Sequence, residues 1–291
     1  MSFLWLTTLS ALRILRRNPL RAGLTMLGII IGIGAVVAMV SLGQGATASV
    51  QAEIASLGTN VLIIVPGATT VGGVRGGLGS ISTLTADDAE DIRTKVGSVM
   101  TVIYGSRSVL QVIHENKNWS TVVVGTTPEF PDIRNWPIAQ GNFITQSDMD
   151  SAAKVVVLGK TAAQNLFEPG EEMVGAEIRI RNTPLRVIGI LAPKGQSISG
   201  QDQDDLVVLP FSTAERKVLG TKFLGTVGII LVATQTRYEI PAVVADIKEL
   251  LRARHHLPAQ EEDDFTIRTM EDIANTIAGT SRTMMLMLMS I

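Results

Sequence analysis

Arg21 is the last charged residue before Glu53, and four arginines, Arg13, Arg16, Arg17 and Arg21, stand just ahead of the gap. The central run, Leu24 to Leu42, is apolar apart from Thr25, Ser41 and interspersed glycines. A helix rises about 1.5 Å per residue, so a run of about twenty such residues crosses a hydrocarbon core of roughly 30 Å. Basic residues beside a span are retained in the cytoplasm. The arginines therefore predict an N-terminus inside and everything after Gly43 on the far side of a bilayer. A second apolar run, Met284 to Ile291, closes the sequence and is too short to span. It reads as the start of a second transmembrane helix in a longer protein.

A cleavable signal is the alternative for the first fifty residues, and Ala46-Thr47-Ala48 resembles a cleavage site. Against it, the apolar run exceeds the roughly 7–15 residues of a signal core. The residues ahead of it also carry a pattern of their own. Leu4, Trp5, Ala11, Leu12 and Leu15 share one helical face with Ser10, Arg13 and Arg17 opposite, although Phe3, Leu6 and Ile14 blur it. Residues 1–20 thus read as an amphipathic helix on the inner leaflet, broken at Asn18-Pro19, and residues 21–43 as the span. Within the span Gly28 and Gly32 form a GxxxG pair, and Gly34 and Ala38 repeat the spacing. Such notches let a neighbouring helix approach closely in lipid, though glycine is also simply common in transmembrane helices.

Hydrophobic residues make up 46% of the chain and charged residues 18%, which fits a membrane segment joined to an ordinary globular body. The net charge of −2 gives no electrostatic footprint for nucleic acid. Without cysteine there is no disulfide framework and no thiolate metal site.

Beyond the span, Gly43–Leu57 keeps helical spacing and predicts an outward stalk. Val61–Val65 reads as a strand, Pro66–Ser80 as a glycine-rich loop, and Thr85-Ala86-Asp87-Asp88 as a capping box opening a helix. Strands at Val99–Ile103 and Val109–Ile113 follow. A second unit has a strand at Gly228–Val232, a helix at Ile240–His256 and a strand at Phe265–Arg268. The fold expected is α/β (α+β): two split, ferredoxin-like βαβ units, residues 44–118 and 226–272, around an inserted strand-rich subdomain, residues 119–225. The insert carries strands near Thr121–Val124, Lys154–Leu158, Glu177–Arg181, Leu185–Ile190 and Leu206–Leu209, with one helix at Thr161–Phe167. A last helix leads from Glu271 into residues 280–291, so transmembrane segments flank the domain.

Catalytic motifs fail on inspection. Gly159-Lys160-Thr161 lies between strand and helix like a phosphate-binding loop, but Lys154 stands where that motif needs a glycine. The glycines from Gly67 to Gly79 do not fit a dinucleotide fingerprint. With Arg75 they read as a loop that meets a partner, as does the segment Gln196–Asp205. Asp202, Asp204 and Asp205 suggest calcium ligands, but the EF-hand glycine and glutamate are missing, so an exposed acidic turn is expected. His255 and His256 read as surface residues at a helix end, and His114 as isolated. Asn118-Trp119-Ser120 is a glycosylation sequon without a known context. No catalytic, cofactor or metal residues emerge.

Several stretches together carry a family likeness: Arg16-Arg17-Asn18-Pro19-Leu20-Arg21, Leu27-Gly28-Ile29-Ile30-Ile31-Gly32, Gly43-Gln44-Gly45-Ala46 and Leu57-Gly58-Thr59-Asn60. Val74-Arg75-Gly76, Val157-Leu158-Gly159, Val187-Ile188-Gly189 and Gly200-Gln201-Asp202-Gln203-Asp204-Asp205 continue it. In order and spacing they resemble the MacB/FtsX-like ABC transporter permeases, over essentially the whole chain. The resemblance implies a porter-like periplasmic or extracellular domain between the first two of four membrane helices, in a bacterial inner membrane. It implies a dimer with a second permease copy and a periplasmic adaptor. It also implies ATP and Mg held by a cytoplasmic ABC ATPase, and export of hydrophobic compounds, antibiotics or peptides. The family pattern has that ATPase as an N-terminal domain, whereas this sequence begins at the membrane, so a separate ATPase subunit is expected. A lipoprotein-releasing or cell-wall-hydrolase-regulating permease, and a membrane-anchored sensor or binding module, remain the alternatives.

Overall fold

The computed structural model describes residues 19–57, 60–67, 70–71, 74–75, 83–197, 200–220 and 224–289. The expected amphipathic helix, with Arg13, Arg16 and Arg17, lies outside them, as does most of the glycine-rich loop. The chain forms two compact units. One takes residues up to Val50 together with Thr276 onward; the other is Gln51–Asn275.

Helix α1 (Pro19–Leu57) runs unbroken for 39 residues. Pro19 opens it, where a missing N–H and a fixed φ cost nothing. Its segment Pro19–Ser41 is the one helix among the described residues long and apolar enough to cross a membrane, and none of its most apolar stretch is buried. Large side chains such as Ile30 and Ile31 face outward, 66% and 62% exposed. Such a surface is costly in water and suited to lipid.

In the second unit, β1 (Val61–Pro66) leads through the hairpin β2 (Thr70–Val71) and β3 (Val74–Arg75) to α2 (Ala86–Lys95). The loop expected over 66–80 therefore contains a short ladder, Thr70 opposite Arg75 and Val71 opposite Val74. Next come β4 (Val99–His114), β5 (Lys117–Thr126), α3 (Phe130–Ile133), β6 (Ile138–Gly141), α4 (Gln146–Asp150), β7 (Val155–Leu158) and α5 (Lys160–Leu166). Then follow β8 (Glu177–Ile180), β9 (Thr183–Leu191), β10 (Leu206–Pro210) and α6 (Phe211–Thr213), which continues as a π-helical turn, Ala214–Leu219. The unit closes with β11 (Ile229–Thr234), α7 (Ile240–Arg254) and β12 (Phe265–Thr269), and α8 (Met270–Met289) leaves it.

The first half of the sheet has the order β12-β1-β11-β4, every neighbour antiparallel. Strands β1 and β4 are therefore parallel with β11 between them, and β11 and β12 parallel with β1 between them. These are the two split βαβ units expected from the sequence. Alternation puts Leu62 and Ile64 of β1 on the buried face, where Ile92 of α2 and Val243, Ile247 and Leu251 of α7 close over the sheet. Each such side chain contributes about 1.5–3 kcal/mol by leaving water.

The structure corrects the expectation of two strands at Val99–Ile103 and Val109–Ile113: β4 is one strand of 16 residues. The polar run Gly105–Ser108 reads as a turn in sequence but is where the strand changes partners. Val99–Gly105 pairs with β11, and Ser106–His114 with β5. Gly105 is required there because a Cβ would strike the carbonyl of Gly125 on β5. The amide of Gly228 donates to Gly105 O at 2.9 Å and to Ser106 Oγ at 3.1 Å, anchoring the changeover. A division at residue 118 thus falls inside the β4–β5 hairpin. The sheet continues from β5 through β10, β7, β9 and β6, with β8 bridging β4 and β9. A second core, including Val112, Val123, Leu158, Leu166, Ile180 and Leu209, lies under α5.

Candidate functional site

The loop before β10 folds back onto α5. Gly159 precedes the helix, and a Cβ there would meet the carbonyls of Asp204 and Leu206. The Thr161 amide donates to Asp204 O at 3.2 Å, and Thr161 Oγ1 donates to the Asp202 carboxylate at 2.6 Å. The place a phosphate would take at this helix start is filled by the chain's own carbonyl and carboxylate. Gly159 serves a close backbone approach.

The acidic turn needs correction as well. Asp204 is 5% exposed rather than at the surface. Its Oδ1 accepts from the Lys194 amide at 2.7 Å and its Oδ2 from the Gly195 amide at 3.0 Å. Asp205 is half-buried and accepts from Trp119 Nε1 at 2.8 Å. Asp202 remains exposed, but it is tied to Thr161 and, at 2.9 Å, to the Asp204 amide. These carboxylates are taken up by the chain's own donors, and buried Asp204 has both of its oxygens satisfied. Of the other residues singled out in the sequence, Arg21 is exposed at the start of α1, and Arg75 ends β3 opposite Thr70. A Cβ at Gly28, Gly32 or Gly34 would meet nothing within 4 Å.

Two histidines depart from their sequence reading. His255 is not a surface residue: its side chain is 10% exposed and lies between two carboxylates. Nδ1 is 2.7 and 3.0 Å from the oxygens of Asp264, and Nε2 is 3.3 Å from Asp88 Oδ2. Asp88 caps α2 by accepting from the Thr85 amide at 2.8 Å and Thr85 Oγ1 at 2.7 Å. Arg254 Nε donates to it at 2.5 Å, and the same guanidinium pairs with Asp91. Burial alone would raise the Asp88 carboxyl, but hydrogen bonds from His255, Arg254 and Thr85 outweigh it and hold the carboxyl well below its usual range. The Asp88 bond raises the His255 pKa above 6.5, burial opposes, and Asp264 reinforces.

His114 is not isolated either. Burial works to lower its pKa, but Nε2 at 2.9 Å from Glu171 Oε1 and Nδ1 at 2.8 Å from Glu177 O raise it on balance. Its ring stacks on Phe167 with centroids 4.1 Å apart. The capping box at Thr85 was legible locally; the partner of Asp88, 167 residues away, had no local signal. Among the described residues no group of His, Asp or Glu could hold a metal ion. The polar side chains of this domain cap helices and tie elements together.

Residues 22–250 match the MacB-like periplasmic core domain family. The chain belongs to the MacB-like permease family. The macrolide export ATP-binding/permease protein MacB of Syntrophobacter fumaroxidans is 35% identical over 333 aligned residues, which take in 97% of this chain and 46% of that protein. Its namesake in Azoarcus sp. is 36% identical over 288 residues, 99% of this chain and 42% of the relative. The chain thus spans less than half the length of these curated relatives. The crystal structure of the periplasmic region of MacB from Actinobacillus actinomycetemcomitans matches with a TM-score of 0.64 at 25% identity, over 78% of this chain and 97% of that one. The extracellular domain of the noncanonic ABC-type transporter YknZ from Gram-positive bacteria shares the fold, with a TM-score of 0.58 at 15% identity over 72% of this chain and 100% of that one. The mixed α/β body is therefore a MacB-type periplasmic domain, and α1 is the apolar helix that precedes it.

Proposed function

We propose that this MacB-family chain is the permease part of an ABC exporter whose first membrane helix and extracytoplasmic domain move together. The observation that carries the reading is the unbroken helical course of α1 from Pro19 to Leu57, which begins as a candidate span and ends with three residues between it and the first strand at Val61. Helical hydrogen bonding without interruption makes α1 able to pass a displacement along its axis. ATP hydrolysis belongs to a cytoplasmic ABC-type ATPase, and the relatives' names, ATP-binding/permease, support an ATPase in the assembly. A second permease copy completes a dimer, and a periplasmic adaptor receives the cargo: hydrophobic compounds, antibiotics or peptides. The small-residue pairs Gly28 with Gly32 and Gly34 with Ala38 are where neighbouring helices pack, and the space at the three glycines is open.

The orientation is the first thing to test. A reporter active only outside the cytoplasm, fused after Lys117, is expected to be active, and one fused after Arg17 silent. The reverse pattern ends the permease reading. A further test is ATP-dependent extrusion from cells that hold the full assembly; no difference between assembled and ATPase-deficient strains would count against export.

A further inference from the structure

We propose that His255 is a proton-operated tie in the extracytoplasmic domain: with a proton on each ring nitrogen it binds the end of α7 both to α2 and to the strand that follows, and on losing one it lets go of α2. The argument starts from donor count. A neutral imidazole has one N–H, whereas this ring faces an acceptor on each side, Asp264 at Nδ1 and Asp88 at Nε2. Only the imidazolium can donate to both. Once neutral, the ring keeps its proton on the side of the closer bond, 2.7 Å to Asp264 against 3.3 Å to Asp88. A nitrogen lone pair then faces Asp88 Oδ2, and attraction becomes repulsion.

The charged groups around the ring are consistent with that direction. Asp88 and Asp91 approach from α2, Asp264 from the segment entering β12, and Arg254 from α7 itself, where the two aspartates of α2 bind it. The edge of Phe265 closes the remaining side, with ring centroids 5.9 Å apart. The bond to Asp88, reinforced by Asp264, outweighs burial and keeps the ring charged above the ordinary histidine value of 6.5. A raised folded-state value means that the tie is complete below 6.5 and is lost as pH rises through the folded value. Arg254 stays charged throughout and keeps α2 and α7 in contact, so the change is a loosening rather than a separation. Helices α2 and α7 are the crossovers of the two split βαβ units, so the tie governs how stiffly those units are held together. The transport reading says nothing of this: it makes the pH outside the cell an input to the stiffness of the domain.

The test uses the full chain in detergent micelles, labelled at the histidine ring carbons, with His255→Gln to assign the resonance. The expected titration midpoint for His255 lies above 6.5. Amide hydrogen exchange in Ala86–Lys95, corrected for its intrinsic pH dependence, is expected to rise several-fold as pH passes that midpoint in the wild type. In His255→Gln it should be fast at every pH. A midpoint at or below the ordinary value, or exchange in α2 that ignores the midpoint, overturns the proposal. Where that variant does not fold, His114→Gln and His256→Gln assign the His255 signal by elimination, and both readings are still taken on the wild type.

Discussion

Asp204 has its two carboxylate oxygens on consecutive backbone amides, Lys194 and Gly195, and its carbonyl on Thr161 at the start of α5. One residue therefore sets the path of the loop before β10 against both its neighbours. Truncation to alanine removes a charged acceptor from the amides of half-buried Lys194 and exposed Gly195, each bond contributing about 1–2 kcal/mol. Asp204→Ala is accordingly expected to lower the unfolding free energy by about 2–4 kcal/mol in a urea titration. Asp204→Asn, which keeps one acceptor, should lose roughly half as much. Equal stability in all three proteins would mean that the loop holds its path without this side chain. Asp204 was legible as an acidic residue in a turn, but its burial was not. A carboxylate that serves amides ten residues back looks the same in sequence as one that faces water.

Among the elements, α1 was the most legible, because a charge-free run of that length has few alternatives in water. The helices α2 and α7 announced themselves through a capping box and an apolar stripe, both local signals. Strand β4 did not. Its middle, Gly105-Ser106-Arg107-Ser108, carries turn-like residues for tertiary reasons: a glycine for close approach to Gly125, and a serine hydroxyl for the Gly228 amide. The short α4 was likewise hidden, although Thr145 and Asp148 form a second capping box, because no apolar stripe follows it. For α1 the prediction is steric. Leucine at Gly28 or Gly32 fills the open notch, and lipid cannot relieve the resulting loss of helix contact. Gly28→Leu and Gly32→Leu are expected to reduce export several-fold at matched membrane levels. The melting temperature of the domain should not change, since neither residue belongs to Gln51–Asn275. Full export by both variants would leave the notch facing lipid.

For the molecule as a whole, the fold class was readable because each βαβ unit is continuous in sequence, while the junction with the inserted strands was not. That junction is a strand held in common, and its consequence is cooperative. Residues Val99–Gly105 complete one half of the sheet, and Ser106–His114 carry Val112 into the core of the other. Neither half can open without removing a neighbour from the other, so Gln51–Asn275 is expected to melt in one calorimetric transition with equal calorimetric and van't Hoff enthalpies. Two resolved transitions would show that β4 does not couple them. The same strand limits how such a gene can be edited. Excising residues 119–225 as a cassette would leave Ser106–His114 as an unpaired ribbon with its apolar alternation intact, which is the recipe for intermolecular sheet growth. A viable deletion has to begin at Gly105, where the backbone changes allegiance, and loses with it the hairpin that carries the Asn118 sequon.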